Sequence, residues 1–138
     1  MKAIMSGFEE IQHTADWAVK IWAVSPEGLF ITALKAMYQL MNVSSKKPSE
    51  KKFISIDLES ENLEGLLVAF LSECHYYQES EMGQLEPVEI SIQNNHLKAK
   101  MKFRQINSIS KEIKAVTFHN LNIDQQPSGL SAILIFDV

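Results

Sequence analysis

The sequence predicts an α+β fold: a mostly antiparallel sheet with two helices packed on it. Three observations carry this reading. Two segments, 25–43 and 61–80, repeat their apolar residues at helical spacing. Shorter segments around them alternate apolar and polar residues, the period of a half-buried strand. In the second half, strands follow one another through short turns, so hairpins rather than helical crossovers join them. The expected order is β–β–α–β–α–β–β–β–β, with a short first strand near 8–12. Strand, helix and alternating strand occur in that order twice, a weak internal symmetry with no sequence repeat.

"DWAVKIWAV" (16–24) sends Trp17, Val19, Ile21 and Ala23 to one side and Ala18, Lys20, Trp22 and Val24 to the other. In "SPEGLFITALKAMYQLMNV" (25–43), Ser25 is a natural N-cap and Pro26 suits the first helical position. Leu29, Phe30, Ala33, Leu34, Met37, Leu40 and Met41 then share one helical face. "SSKKPSEKK" (44–52) is a polar loop. "FISIDLES" (53–60) alternates again, with Ile54, Ile56 and Leu58 inward. In 61–80 the stripe is Leu63, Leu66, Leu67, Phe70, Leu71 and Cys74, with Asn62 or Ser60 as cap and Gly83 just past the end.

"VEISIQ" (88–93), Asn94-Asn95 and "LKAKMKFR" (97–104) form a β-hairpin. Leu97, Ala99, Met101 and Phe103 point inward, and Lys98, Lys100, Lys102 and Arg104 outward. "INSISKE" (106–112) is a polar loop. "IKAVTFHNLNI" (113–123) is a strand bending near Asn120, and "QQPSG" (125–129) is a turn. "LSAILIFDV" (130–138) is too apolar to be half exposed, which places it centrally in the sheet.

The 138 residues suffice for one domain, 1–138, with a sizeable core. Apolar residues make up 46% and charged residues 22%, values ordinary for a globular protein. The formal net charge of −4 argues against gripping nucleic acid by charge alone. One cysteine, Cys74, excludes an internal disulfide and fits a reducing compartment. No apolar run reaches the ~18–20 residues of a membrane span. The opening "MKAIMSGFEEIQ" does not read as a secretory signal. These features together point to a cytoplasmic protein.

The sequence carries no Gly-rich phosphate loop, paired CxxC, HExxH or nucleophile elbow. Cys74 falls on a buried stripe and reads as inert core. The Lys98–Arg104 stripe can follow a phosphate backbone or simply be the wet face of a strand. His75 and His96 read as exposed or half-exposed, while His13 and His119 lie at strand ends. Asp16 opens one hydrophobic strand and Asp137 closes another; Val138 adds an α-carboxylate. If those strand ends meet, three carboxylates converge and demand a cation, with oxygen ligands favouring Ca²⁺, Mg²⁺ or Mn²⁺. Otherwise both aspartates cap strand ends in solvent.

"HTADWAVKIWAVSPEGLFITALKAMYQLM" (13–41) resembles the opening of the archease family. "IKAVTFHNLNI" is similar to that family's late signature, and "IFDV" (135–138) to its usual ending. "LEGLLVAFLSECHYY" (63–77) matches its second helix more loosely. The resemblance implies two strand-helix-strand-strand modules and a non-enzymatic partner of the tRNA-splicing RNA ligase. Such a protein promotes transfer of GMP onto the ligase, so GTP acts through the ligase, and it supports multiple turnover. The resemblance also implies a divalent cation, calcium by preference, on Asp16, Asp137 and Val138. Lys114 matches the lysine of the late signature and Glu73 an acidic position of the second helix, both candidates for contacting the ligase or its nucleotide.

Two other function classes compete. One is a small RNA-binding or chaperone-like module using the basic face 98–104, which the negative net charge disfavours. The other is a metal-dependent hydrolase using Asp16 and Asp137 with His13 or His119 as base, which lacks an obvious nucleophile. Strong direct nucleic-acid binding and a membrane role are not expected.

Overall fold

Both helices begin where short polar side chains hold the first free amides. Ser25 caps α1 (Pro26–Leu40), its Oγ accepting from the Gly28 N–H at 3.0 Å, with Pro26 in the first turn. Asn62 caps α2 (Leu63–Glu81), its Oδ1 accepting from the Gly65 N–H at 2.7 Å. The computed structural model describes residues 6–11, 17–47, 52–117 and 120–138.

The strands are β1 (Gly7–Ile11), β2 (Trp17–Ala23), β3 (Ser44–Ser45), β4 (Phe53–Glu59), β5 (Gly83–Gln93), β6 (His96–Ser108), β7 (Ala115–Thr117), β8 (Asp124–Gln126) and β9 (Gly129–Asp137). Every pairing among them is antiparallel. They divide into two sheets rather than one. The first runs β1-β2-β9-β7, with β8 also on β9; the second is built on β6, which pairs with β3, β4 and β5.

The internal symmetry is real, and it is nested. In the second module, β4–α2–β5–β6, the last strand lies between the other two. In the first module, β2–α1–β7–β9, the last strand again lies between the other two. The whole second module is inserted between α1 and β7 of the first. Each helix also clasps the opposite module. Glu27, in the first turn of α1, accepts from the Ile92 N–H of β5 at 3.0 Å. Glu64, in the first turn of α2, accepts from the Ile123 N–H at 2.8 Å. The cap, the glutamate two residues on and the glycine after it recur as Ser25-Glu27-Gly28 and Asn62-Glu64-Gly65.

Helix α1 buries more than the expected stripe: Thr32, Ala36 and Tyr38 are buried alongside Leu29, Phe30, Ala33, Leu34 and Met37. It packs on β1, β2 and β9 of one sheet and on β5 of the other, so two sides are covered. The Phe30 and Phe70 rings join the helices, their centroids 5.8 Å apart. The Tyr38 hydroxyl accepts from the Leu85 N–H at 2.9 Å. With Glu27 holding Ile92 and Pro87 lacking an N–H, edge strand β5 offers few free donors to a foreign strand.

Several local expectations change. Ser44 and Ser45 pair with β6 instead of lying wholly in a loop. Helix α2 is closed by Met82 in the left-handed region (φ 53°), not by Gly83. Gly83 instead opens β5 beneath Phe103, where an added Cβ would lie 2.0 Å from a ring carbon. The hairpin is longer than 88–104, and Pro87 is accommodated by a register shift in β5. The 113–123 segment is a strand only over 115–117 among its described residues, and 124–126 adds a strand where a turn was expected. Strand β9 is indeed central to its sheet, yet one face of it stays partly open, with Ile133 47% exposed.

Candidate functional site

Strand register brings one end of β9 to the beginning of β2. Trp17 pairs with Phe136, and Phe136 pairs on its other side with Val116 of β7. Phe136 is fully buried, so this row anchors the sheet end directly before Asp137. Asp137 is exposed and pairs with Ala115; its carbonyl accepts from the Lys114 N–H at 2.7 Å. The Lys114 side chain is exposed, and Val138 beyond is 37% exposed. The Lys111 ammonium stands 4.9 Å from the Trp17 ring centroid, a cation–π contact. Lys111 was hidden in a stretch that reads only as polar loop.

Asp137, Val138 and Lys114 thus share one end of the first sheet. Asp16, His13 and His119 lie outside the described residues. Among the described residues, no group of three or more His, Cys, Asp or Glu gathers to hold a metal. Glu73 sits half-buried on α2 and forms no ion pair with Lys114. The exposed Asp137 carboxylate is an oxygen donor of the type that suits a hard cation.

The other candidates are bland or different from expectation. Cys74 is fully buried, and burial, then the Glu73 charge, push its thiol far above the ordinary range, so it is no nucleophile. His75 is buried rather than exposed, at 8% exposure, and among the described residues its Nε2 has no hydrogen-bond partner, like Oε1 of nearby Gln78. A cleft of about 560 Å³ between α1 and β5 is lined by Phe8, Leu34, Tyr38, Leu85 and Arg104 among others, without a nucleophile–base pair.

The basic strand face is interleaved with acids. Register places Lys98 beside Asp57, Lys100 beside Glu89 and Lys102 beside Glu86. Arg104 donates to Glu86 at 3.0 Å, and Lys100 lies over the Phe53 ring at 4.4 Å. His96 pairs with Asp57, and that hydrogen bond holds the Asp57 carboxyl below its ordinary value. A depressed carboxyl pKa gives a stabilising contact that is present above the unfolded value and lost as pH falls through the folded one. Carboxyl NMR titration should therefore place Asp57 below 3.8, and His96→Ala should raise it. An unmoved midpoint would show the pairing to be absent in solution.

The Archease protein family (MTH1598/TM1083) matches residues 8–138. The chain belongs to the archease family. Protein archease of Methanopyrus kandleri is 28% identical over 140 residues, spanning 95% of this chain and 99% of that protein. The archease of Methanosarcina barkeri is 30% identical over 141 residues, spanning 95% of each. The solution structure of Methanobacterium thermoautotrophicum protein 1598 superposes with a TM-score of 0.73 at 24% identity, covering 96% of this chain and 99% of that one. An archease from Thermotoga maritima, described as a possible chaperone, gives 0.69 at 24% identity, covering 94% and 96%. At that identity the two structures speak for the archease fold. Archease membership supports a general regulatory or cofactor role.

Proposed function

We propose that this protein is a metal-binding accessory factor that activates a tRNA-splicing RNA ligase, promoting its guanylylation and hence multiple turnover. The family match over residues 8–138 carries the reading. The Trp17–Phe136 register supports it, because it brings the sheet end bearing Asp137 beside the strand that follows Asp16. In this reading Asp16, Asp137 and the Val138 carboxylate hold a divalent cation, Ca²⁺ by preference, with Mg²⁺ or Mn²⁺ as substitutes. When bound, the cation offsets the mutual repulsion of those carboxylates and adds stability by mass action. Lys114 and Glu73 are offered to the ligase or its nucleotide. The alternative, RNA binding through 98–104, is weakened by the acids set among those cations.

A turnover assay tests the proposal, with ligase substoichiometric to RNA ends and GTP present. The protein alone should neither join nor cleave RNA, yet should turn a stalled ligase into one that cycles. Asp16→Ala, Asp137→Ala and an extension beyond Val138 should each lower Ca²⁺ affinity and activation on the order of tenfold or more. The double variant should do little worse than either single one, since the ligands act together. Lys114→Met should fold and activate less. Full activation by Asp137→Ala would defeat the cation site, and RNA cleavage by the protein alone would defeat the accessory role.

A further inference from the structure

The second sheet has two sides, and they are closed off unequally. On the β5 side, Tyr38 takes the Leu85 N–H, Glu27 takes the Ile92 N–H, and Pro87 has no N–H to offer. On the other side, β4 pairs with β6 and with no further strand. Its bonds to β6 fall on alternate residues. The Lys52 carbonyl accepts from the Phe103 N–H at 3.0 Å, and the Ser60 N–H donates to the Asn95 carbonyl at 3.2 Å. These two pairs fix the phase of the ladder. Ile54, Ile56 and Leu58 bond to β6, while Phe53, Ser55, Asp57 and Glu59 turn their N–H and C=O groups away from it. Among the described residues, those outward backbone groups meet no hydrogen-bond partner. Seven residues without a proline make a long edge to leave open. Strand β1, at one side of the first sheet, is shorter, and its two exposed residues, Glu9 and Glu10, would repel a second copy.

A row of free donors and acceptors takes one kind of occupant, an extended strand. The side chains of β4 suit its own copy. We infer that β4 pairs with β4 of a second copy of this chain, antiparallel and about a two-fold axis at Ile56, so that the two second sheets become one. Ile56 is the middle residue of Phe53–Glu59, so this register overlaps the whole strand. On the face toward the core it sets Ile54 opposite Leu58 of the second copy, and Ile56 opposite itself. Ile54 and Leu58 are only half-buried in the single chain, and the pairing covers their open side. On the outer face Ser55 stands opposite Asp57, a hydroxyl donor before a carboxylate, and Phe53 opposite Glu59. Moving the axis to Asp57 would set that carboxylate against itself. Moving it to Ser55 would carry Leu58 and Glu59 past the end of the opposing strand. The same surface serves both copies, as a two-fold interface requires. This assignment is independent of the ligase reading.

Sedimentation of the full chain over a concentration series tests the pairing, with amide hydrogen exchange by NMR at both ends of the series. The wild type should pass from monomer to dimer as concentration rises. The amides of Phe53, Ser55, Asp57 and Glu59 should exchange freely in the monomer and slow on the order of tenfold or more in the dimer. Those of Ile54, Ile56 and Leu58 should stay protected in both. Ser55→Asp sets a second carboxylate opposite Asp57 at both symmetric positions and should weaken the dimer on the order of tenfold. Within its own chain that aspartate faces Lys100, so the monomer fold is kept. Ser55→Pro removes an N–H that β6 does not use and should abolish the dimer. Should it fold poorly, Ser55→Asp reads the same contact. A wild type that is monomeric at its highest soluble concentration would overturn the inference. A dimer of unchanged affinity in both variants would place self-association elsewhere and overturn it too. So would outward amides already protected in the dilute monomer, or protected only when the ligase is added, which would give the edge to a strand of that protein.

Discussion

Phe136→Ala is expected to destabilise the protein by about 3–5 kcal/mol, the range for deleting a fully buried aromatic ring. The ring is wholly inaccessible and lies in the central strand of the first sheet. Its backbone neighbours are Trp17 on one side and Val116 on the other, so no edge is free to collapse into the space. Domains of this kind are stable by about 5–15 kcal/mol, so the loss is a large share of the total. Urea unfolding should show a lower midpoint with an unchanged slope. A loss under about 1 kcal/mol would mean that the surrounding side chains close the cavity, contrary to the rigid row described here.

Gly129→Ala is expected to cost about 2–4 kcal/mol, through backbone strain plus a clash rather than lost burial. Gly129 starts β9 at φ 149°, a region that side chains avoid. An added Cβ would lie 2.5 Å from the Ala23 carbonyl oxygen and 3.4 Å from the Val24 Cα. Both are backbone atoms, which cannot rotate away as a side-chain tip can. Equilibrium denaturation of the variant beside wild type checks this. Equal stability would show that the turn between β8 and β9 rebuilds itself at no cost.

Features governed by adjacent residues were legible in the sequence. Ser25 and Pro26 start α1 because capping needs only a hydroxyl three positions from an amide. Asn94 and Asn95 make the β5–β6 turn, both in the left-handed region at φ 51° and 59° that asparagine tolerates. Features decided across the fold were not. Gly83 reads as a helix stop, but Phe103 from the neighbouring strand requires its missing side chain, so Met82 takes the strained cap. Ile113 reads as part of an alternating strand, yet Ile113 and Val116 are both buried because the strand starts only at Ala115. His75 reads as exposed or half-exposed on its helix, and only the packing of α2 buries it. The central place of β9 could be inferred from its aliphatic run, whereas the two-sheet division could not, since antiparallel pairing partners leave no local mark. For the site, the acidic strand end at Asp137 was readable; Lys111 over Trp17 was not, because that contact depends on a loop path.

The nested order of the two modules sets the sequence in which the chain can acquire its structure. The inserted module is contiguous, so β4, α2, β5 and β6 can find one another over short loops as soon as they exist. The outer sheet has no such freedom. Strand β2 pairs with β1 alone until β9 arrives, after every other element has been made. Closing so long a loop is slow, and a half-paired apolar strand is exposed in the meantime. The residue row that completes the sheet, Trp17–Phe136–Val116, adjoins Asp137. Chain closure and assembly of the candidate site are therefore one event: a molecule in which β9 has not docked presents neither a complete first sheet nor the acidic end beside β2.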